Sequence, residues 1–385
     1  MQRKKILWLV SWYPNRNDRF TGDFIQRHAR AAAVYHDIYV LYVVAGQVAS
    51  EVEHEINVAG GLTEHIIYFK DQPEQLAWKL KKQVIWRKIT IEAVLTYIQN
   101  NGKPDCVHVH VLWKAGLVAM HFKKNMGLEY LVTEHWNIYN KSTPHNYYTK
   151  SSVERFLFRR IYKNANALVS VSQFIANAMQ KTFGPKECKM KIPNVVDAKL
   201  FFPVGQKGRS FRFIHVSNMV PLKNVGGILL AFEKLVKIKK MENVEIVFVG
   251  NKDGEYVKLA LELGLLNKNA FFKGEISYEV VATEMKNAHC FILNSMIENS
   301  PCVIGEALCC GLPVIATSVG GVPELVDDSN SILISPDNED NLVAAMERMV
   351  KNYGIYNTAE ISEKACNRFG QQSIAKEFDT LYSSL

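Results

Sequence analysis

Short runs of β-branched and apolar residues alternate along the whole chain with stretches whose apolar positions recur every three or four residues. That alternation is how a parallel α/β sheet reads: its buried strands are near-continuous apolar runs and its crossover helices are amphipathic. In the first half, strands are predicted at 6–10, 38–44, 106–110, 130–133 and 167–171. In the second half they are predicted at 213–216, 244–249, 270–272, 289–293, 313–316 and 331–334. Helices are expected between them at 226–239, 255–263 and 279–287, and Gly264 gives a stop signal after Leu263. A last amphipathic helix is predicted at 371–382, where Ile374, Phe378 and Leu381 share one face.

The strand–helix rhythm breaks at 192–208, where Pro193, Asn194, Asp197, Pro203, Gly205 and Gly208 favour turns. The expected organisation is therefore two doubly wound parallel-sheet domains, 1–195 and 196–368, followed by a terminal helical segment, 369–385. Two such sheets are expected to face one another across a cleft, with ligands beyond the carboxyl ends of the strands.

A length of 385 residues suits two domains. A composition of 48% hydrophobic and 22% charged residues excludes disordered and fibrous classes. No apolar run reaches the roughly 18 residues of a membrane span. The apolar start, Ile6 to Val10, is too short for a secretory signal and lacks a small-residue cleavage site. Seven cysteines, without zinc-type spacing, read as free thiols in a reducing compartment, so a cytoplasmic location is expected. A net charge of +8 favours anionic partners without choosing among phosphates, nucleic acid and an acidic membrane face.

The densest chemical signal is SMIENSPCVIGEALCCGLPVIATSVGGVPE, from Ser295 to Glu324. Asn299 or Ser300 is expected to cap a helix that starts at Pro301, runs to Cys310 and is closed by Gly311. The amides of Cys302 and Val303 at that helix start attract phosphate. Glu298 and, about one turn into the helix, Glu306 suit hydroxyls. A sugar nucleotide has both parts. The plainer alternative is one solvated glutamate and one on a helix surface.

The segment also resembles the signature of the retaining family 4 glycosyltransferases of GT-B fold. The matching residues are Glu298, Glu306, Ala307, Gly311, Pro313, Val314, Ile315, Ala316, Gly320, Gly321 and Glu324. Departures are Asn299, where the family often has Gly or Ser, and Cys309 and Cys310, where small residues are common. The run His215–Asn224 resembles the family's donor-diphosphate segment. Lys223 matches its lysine, but Asn218 stands where the family has an arginine. Arg16, Arg19 and Lys252 are the candidates to supply the missing charge. Gly22 matches a loop glycine after the first strand. His108, His110 and His135 lie on two strand ends resembling the family's histidine-bearing ones, and 193–197 resembles its interdomain hinge, with Asn194 and Asp197 at the cleft edge.

The resemblance implies a GT-B fold, with acceptor binding in 1–195, nucleotide-sugar binding in 196–368 and a terminal helix crossing back to the first domain. It implies that Glu306 holds the ribose, that Glu298 contacts the transferred sugar with His135 opposite, and that Lys223, Asn218 and the amides near Cys302 take the diphosphate. Ser300, Val303, Gly250 and Ile276 belong to the donor side, and His108 and His110 to the acceptor side. The implied reaction is retaining sugar transfer from a nucleotide-diphosphate sugar to a glycan or lipid-linked hydroxyl, in surface polysaccharide or glycolipid biosynthesis. A nucleotide-sugar epimerase and a non-catalytic sugar-nucleotide binder are the alternatives.

Asp-x-Asp, G-x-G-x-x-G and Walker A sequences are all missing. No cofactor and no metal are therefore expected, and basic groups with a helix dipole must stabilise the departing diphosphate. The stretch 77–88 carries Lys79, Lys81, Lys82, Arg87 and Lys88 with Trp78 and Trp86 and no acid. The stretch 155–163 is similar. Both predict peripheral contact with an anionic membrane, with a solvated helix face as the alternative. No base-reading module accompanies them, so nucleic acid is not an expected partner.

Overall fold

In the computed structural model, which describes residues 3–72, 78–143, 145–205, 207–251 and 254–385, the apolar run from Ile6 to Val10 is buried throughout and forms most of β1 (Lys5–Val10). Around it lie β2 (Asp37–Gly46), β3 (Val52–Ala59), β4 (Leu62–Lys70), β5 (Cys106–His110), β6 (Tyr130–Glu134), β7 (Ala167–Ser170) and β8 (Cys188–Lys191). They make an 8-stranded sheet of order β3-β4-β2-β1-β5-β6-β7-β8. All its pairings are parallel except β3 with β4. The crossover helices are α1 (Asp23–Ala32), α2 (Trp78–Asn101), α3 (Ala115–Met126), α4 (Ser152–Asn164) and α5 (Gln173–Phe183).

The β3–β4 hairpin and β8 fall outside the strands predicted from the sequence. β3 is an edge strand, half-buried at best along its length, so it lacks the apolar run that marks its neighbours. Its turn is Gly60-Gly61, a recognised hairpin dipeptide that stands between two alternating stretches.

The second sheet contains β9 (Phe211–Val216), β10 (Val244–Val249), β11 (Ala270–Gly274), β12 (Cys290–Leu293), β13 (Val314–Thr317) and β14 (Ser331–Ile334). Its order is β11-β10-β9-β12-β13-β14, wholly parallel. Its helices are α6 (Val225–Lys237), α7 (Gly254–Glu262), α8 (Tyr278–Lys286), α9 (Cys302–Cys309), α10 (Glu339–Lys351) and α11 (Thr358–Phe369). β12 and β13 are buried at every residue, as a parallel sheet covered on both faces requires.

The chain divides after Pro193 and again after Gly370. The final helix, α12 (Gln371–Ser383), belongs to the first unit. There Phe378 packs at 5.7 Å from Trp8, and the Trp8 indole donates to the Tyr382 hydroxyl at 3.0 Å. Each unit has its own continuous apolar core. α9 spans only eight residues, too few to be stable alone. Ile304, Ala307 and Leu308 hold it in the second core, and Ser362 of α11 donates to the Cys309 carbonyl at 2.6 Å.

Candidate functional site

In the second unit the ends of β9 and β12 lie side by side, and the loops leaving them carry the two charged residues that the sequence placed far apart. His215, on β9, is fully buried. Its Nδ1 faces the Ile292 carbonyl at 2.9 Å, which accepts only, so Nδ1 carries the proton and Nε2 accepts from Ser217 Oγ at 2.7 Å. Ser217 in turn accepts from the Met219 amide at 3.0 Å. Burial pushes His215 down to about 4, so this anchor is neutral at pH 7. It holds the turn Pro221–Lys223, whose Leu222 carbonyl accepts from the Met296 amide at 2.8 Å.

That bond ties the turn to the loop after β12. There Glu298 Oε1 accepts from Ser295 Oγ at 2.7 Å and from Lys223 Nζ at 2.5 Å. The carboxylate side chain is 9% exposed and the lysine 21%. Gly320 closes the back of the site: at φ +56, a Cβ there would meet the Glu298 carbonyl oxygen at 1.7 Å. Gly250, at the end of β10, makes the same close approach to the Ser217 carbonyl.

Glu306 lies on α9, 3% exposed, with Tyr278 Oη donating to its Oε1 at 2.7 Å. Neither glutamate is solvated, which removes the plainer reading of the pair. The helix starts one residue later than expected: Pro301, in extended conformation, is the cap and Cys302 the first helical residue. Neither Asn299 nor Ser300 caps it. The Ser300 carbonyl instead accepts from Asn194 Nδ2 at 2.8 Å. Cys302 and Val303 are half-buried at the helix start, Ile276 is partly buried against the core, and Asn218 is exposed on the loop after β9.

In the first unit His28, His108, His110 and His135 form one buried aromatic cluster. His110 and His135 stack at 5.5 Å and share a hydrogen bond of 3.2 Å, and Trp8 stacks on His110 at 3.9 Å. The expectation that His108 faces an acceptor fails: both its ring nitrogens are taken inside the core, by Tyr382 and Thr133, each at 2.7 Å. His110 is likewise fully buried. Burial keeps all four imidazoles below the ordinary histidine range, His28 at about 4.

Only His135 of the three predicted histidines has any exposure, 9%. Its loop is held by Glu134, which accepts from the amides of His135 and Trp136 at 2.8 Å, from Leu112 and from Tyr139 Oη. Gly22 begins α1 at φ +69, where a Cβ would meet the Trp12 carbonyl carbon at 2.6 Å. Backbone packing alone therefore demands that glycine. Glu134, His28, Tyr278, Ser295 and His215 were not foreseen: Glu134 and His215 lie on strands, His28 and Tyr278 on helices and Ser295 on a loop, and no local pattern marks their side-chain partners.

Of the candidate extra cations, Arg16 is committed to Glu53 at 2.7 Å and stacks over Tyr68, Arg19 is exposed, and Lys252 lies outside the described residues. The basic helix also differs from expectation. Ala77 and the Lys79 side chain lie outside the described part, and both tryptophans turn inward: Trp78 donates to Asp71 and Trp86 to the Val43 carbonyl. Its exposed large apolar residues among the described ones are Leu80, Val84 and, further along the helix, Leu95. On α4, Phe156 is exposed while Phe158, Ile161 and Tyr162 are buried. No helix among the described residues is long and apolar enough to cross a membrane.

Two family descriptions match the chain, Glycosyl transferases group 1 over residues 196–374 and Glycosyltransferase Family 4 over 27–200. The putative teichuronic acid biosynthesis glycosyltransferase TuaC of Bacillus subtilis is 23% identical over 369 residues, covering 89% of this chain and 88% of TuaC. Sucrose-phosphate synthase from Thermosynechococcus elongatus superposes with TM-score 0.77 at 18% identity, covering 99% of both chains. HepE from Anabaena, solved in complex with UDP, superposes with TM-score 0.73 at 18% identity over 99% of this chain and 100% of HepE. Its complex with UDP-glucose gives 0.70 at 19% identity, with full coverage of both, 100%.

Proposed function

We infer that this chain, which belongs to the family 4 glycosyltransferases of the group 1 type, moves a sugar from a nucleotide-diphosphate sugar to a hydroxyl of a glycan or lipid-linked acceptor, with retention of configuration and without a metal. Its two parallel-sheet units are the Rossmann-like halves of the GT-B fold. The observation that carries the reading is the meeting of Lys223 with Glu298, in the loop that leads into α9, the helix that carries Glu306.

The donor binds in the second unit. Glu306, oriented by Tyr278, accepts hydrogen bonds from the ribose hydroxyls. Lys223 turns from Glu298 toward the diphosphate, and the amides of Cys302 and Val303 add the partial positive charge of a helix start. As the bond from the anomeric carbon to the diphosphate oxygen breaks, negative charge grows on the leaving group, and preformed cationic groups lower that barrier. The acceptor oxygen bonds to the same carbon on the face the diphosphate leaves, and its proton passes to the departing phosphate oxygen. Glu298 accepts from a hydroxyl of the sugar in flight, and His135, which burial keeps neutral, is proposed as a hydrogen-bonding group for the transferred sugar. Asn218 supplies a hydrogen bond where relatives place a charge, so transfer is slower than an arginine would allow.

HepE's UDP and UDP-glucose complexes support a uridine diphosphate sugar as the first donor to try. TuaC, named for teichuronic acid biosynthesis, supports a role in polysaccharide biosynthesis, which we propose takes place at the inner face of the cytoplasmic membrane. Peripheral contact is made by exposed Leu80 and Val84 with their basic neighbours.

The test is sugar transfer from a panel of nucleotide sugars, with water and with glycan acceptors in parallel. Transfer by wild type that collapses in Lys223→Ala and Glu298→Ala supports the assignment. Wild-type turnover in both variants contradicts it.

A further inference from the structure

The largest cavity described in the first unit has no part in the donor site proposed above. It holds about 610 Å³ between α2 and the carboxyl ends of β2 and β4, within the range of roughly 300–1,000 Å³ typical of small-molecule pockets. Its wall is more apolar than polar and includes Trp86, Trp113 and Leu117. Three cations line it, Lys82, Arg87 and Lys114, and no carboxylate among the described residues does. Lys82 is paired with Asp71 at 3.1 Å, whereas Arg87 and Lys114 have no ion pair among the described residues.

Lys114 is the most telling of these. It sits at φ +63, ψ −70, a conformation that lysine adopts only at a cost in strain, in the turn from β5 into α3. Desolvation, with Lys82 close by, holds its ammonium below the ordinary lysine range. Asp71 offsets the charge of Lys82, so Arg87 and Lys114 are the cations that an incoming anion would pair at this wall. A guanidinium and two ammoniums match a phosphate, the guanidinium by bidentate hydrogen bonds. Tryptophan faces and a leucine match a hydrocarbon chain.

We propose that this cavity binds an amphiphile made of a phosphate or diphosphate head on a hydrocarbon chain. Lys82, Arg87 and Lys114 hold the head, and Trp86, Trp113 and Leu117 hold the chain. Its role as the lipid end of an acceptor rests on the glycosyltransferase reading; the binding itself does not.

Decyl phosphate, kept below its micellar concentration, is titrated into the full chain and followed by calorimetry and by tryptophan fluorescence. Decanol and inorganic phosphate are the parallel arms. The expected result is saturable binding with a change in fluorescence, with each single-feature arm at least about tenfold weaker. Arg87→Gln with Lys114→Gln weakens decyl phosphate by at least about tenfold while keeping the wild-type melting temperature. Three results overturn the proposal: no saturable binding of decyl phosphate, equal affinity in the double variant, or inorganic phosphate binding as tightly as decyl phosphate. A melting-temperature response to UDP is measured on the same samples. UDP binding without decyl phosphate binding refutes the cavity alone. Decyl phosphate binding without any nucleotide response refutes the donor reading alone.

Discussion

Lys223 Nζ lies 2.5 Å from Glu298 Oε1, although 75 positions separate the two residues in the chain. The pair exists because β9 and β12 are neighbours in the sheet while their following loops are not neighbours in sequence. In the proposed reading, this contact supplies both the cation and the acid that a sugar phosphate needs.

Removing the lysine therefore has two consequences. Lys223→Ala leaves Glu298 largely buried with Ser295 as its one side-chain donor among the described residues, which costs about 1–3 kcal/mol of stability. It also removes a group assigned to the leaving diphosphate, which costs about 100-fold or more in kcat. Lys223→Arg keeps the charge and recovers part of the activity. Melting curves and initial rates on the three proteins check this; full activity in Lys223→Ala contradicts it.

Gly320→Ala strains the site without altering its chemistry. The residue's positive φ and the Glu298 carbonyl at 1.7 Å from a built Cβ leave no room for a methyl group. The expected loss is at least about 1–3 kcal/mol from backbone strain, with displacement of Glu298 and reduced turnover. An unchanged melting temperature together with an unchanged rate contradicts this.

Acid stability follows from the buried histidines. His28 and His215 are held at about 4, and His108, His110 and His135 lie well below the ordinary value of 6.5. As the pH falls below 6.5 the unfolded chain takes up protons that the folded chain refuses until 4 or lower. Their contribution is complete above pH 6.5 and is lost between 6.5 and 4. Each group adds a slope of up to about 1.4 kcal/mol per pH unit in that window. The melting temperature falls steeply between pH 7 and 5, and less steeply in His28→Gln. A flat profile contradicts this.

Chelation leaves turnover unchanged if the diphosphate is stabilised by Lys223 and the start of α9. Transfer measured with EDTA and with added Mg²⁺ or Mn²⁺ checks this; loss on chelation that Mn²⁺ restores contradicts it.

Much of this architecture is legible from the chain alone, because parallel strands such as β12 and β13 are buried on both faces and read as unbroken apolar runs. β3 escapes that reading, since an exposed edge strand has no such run. Glu298, Glu306 and Lys223 stand out by spacing and by family resemblance. Tyr278 and His215, which orient them, do not, because hydrogen-bond partners 28 and 77 residues away leave no local pattern; Ser295 is only three residues from Glu298, but a serine in a loop does not by itself announce its partner. The tryptophans of α2 show the same limit: composition suggests a membrane face, while Asp71 and the Val43 carbonyl draw both indoles inward.

Calorimetric titration of a nucleoside diphosphate, chosen from UDP, GDP, ADP and dTDP by the largest rise in melting temperature, tests the shared donor site most directly. One wild-type site is predicted, weakened at least about tenfold both by Lys223→Ala and by Glu306→Gln. Binding that neither substitution alters, or no binding of any of the four, contradicts the account.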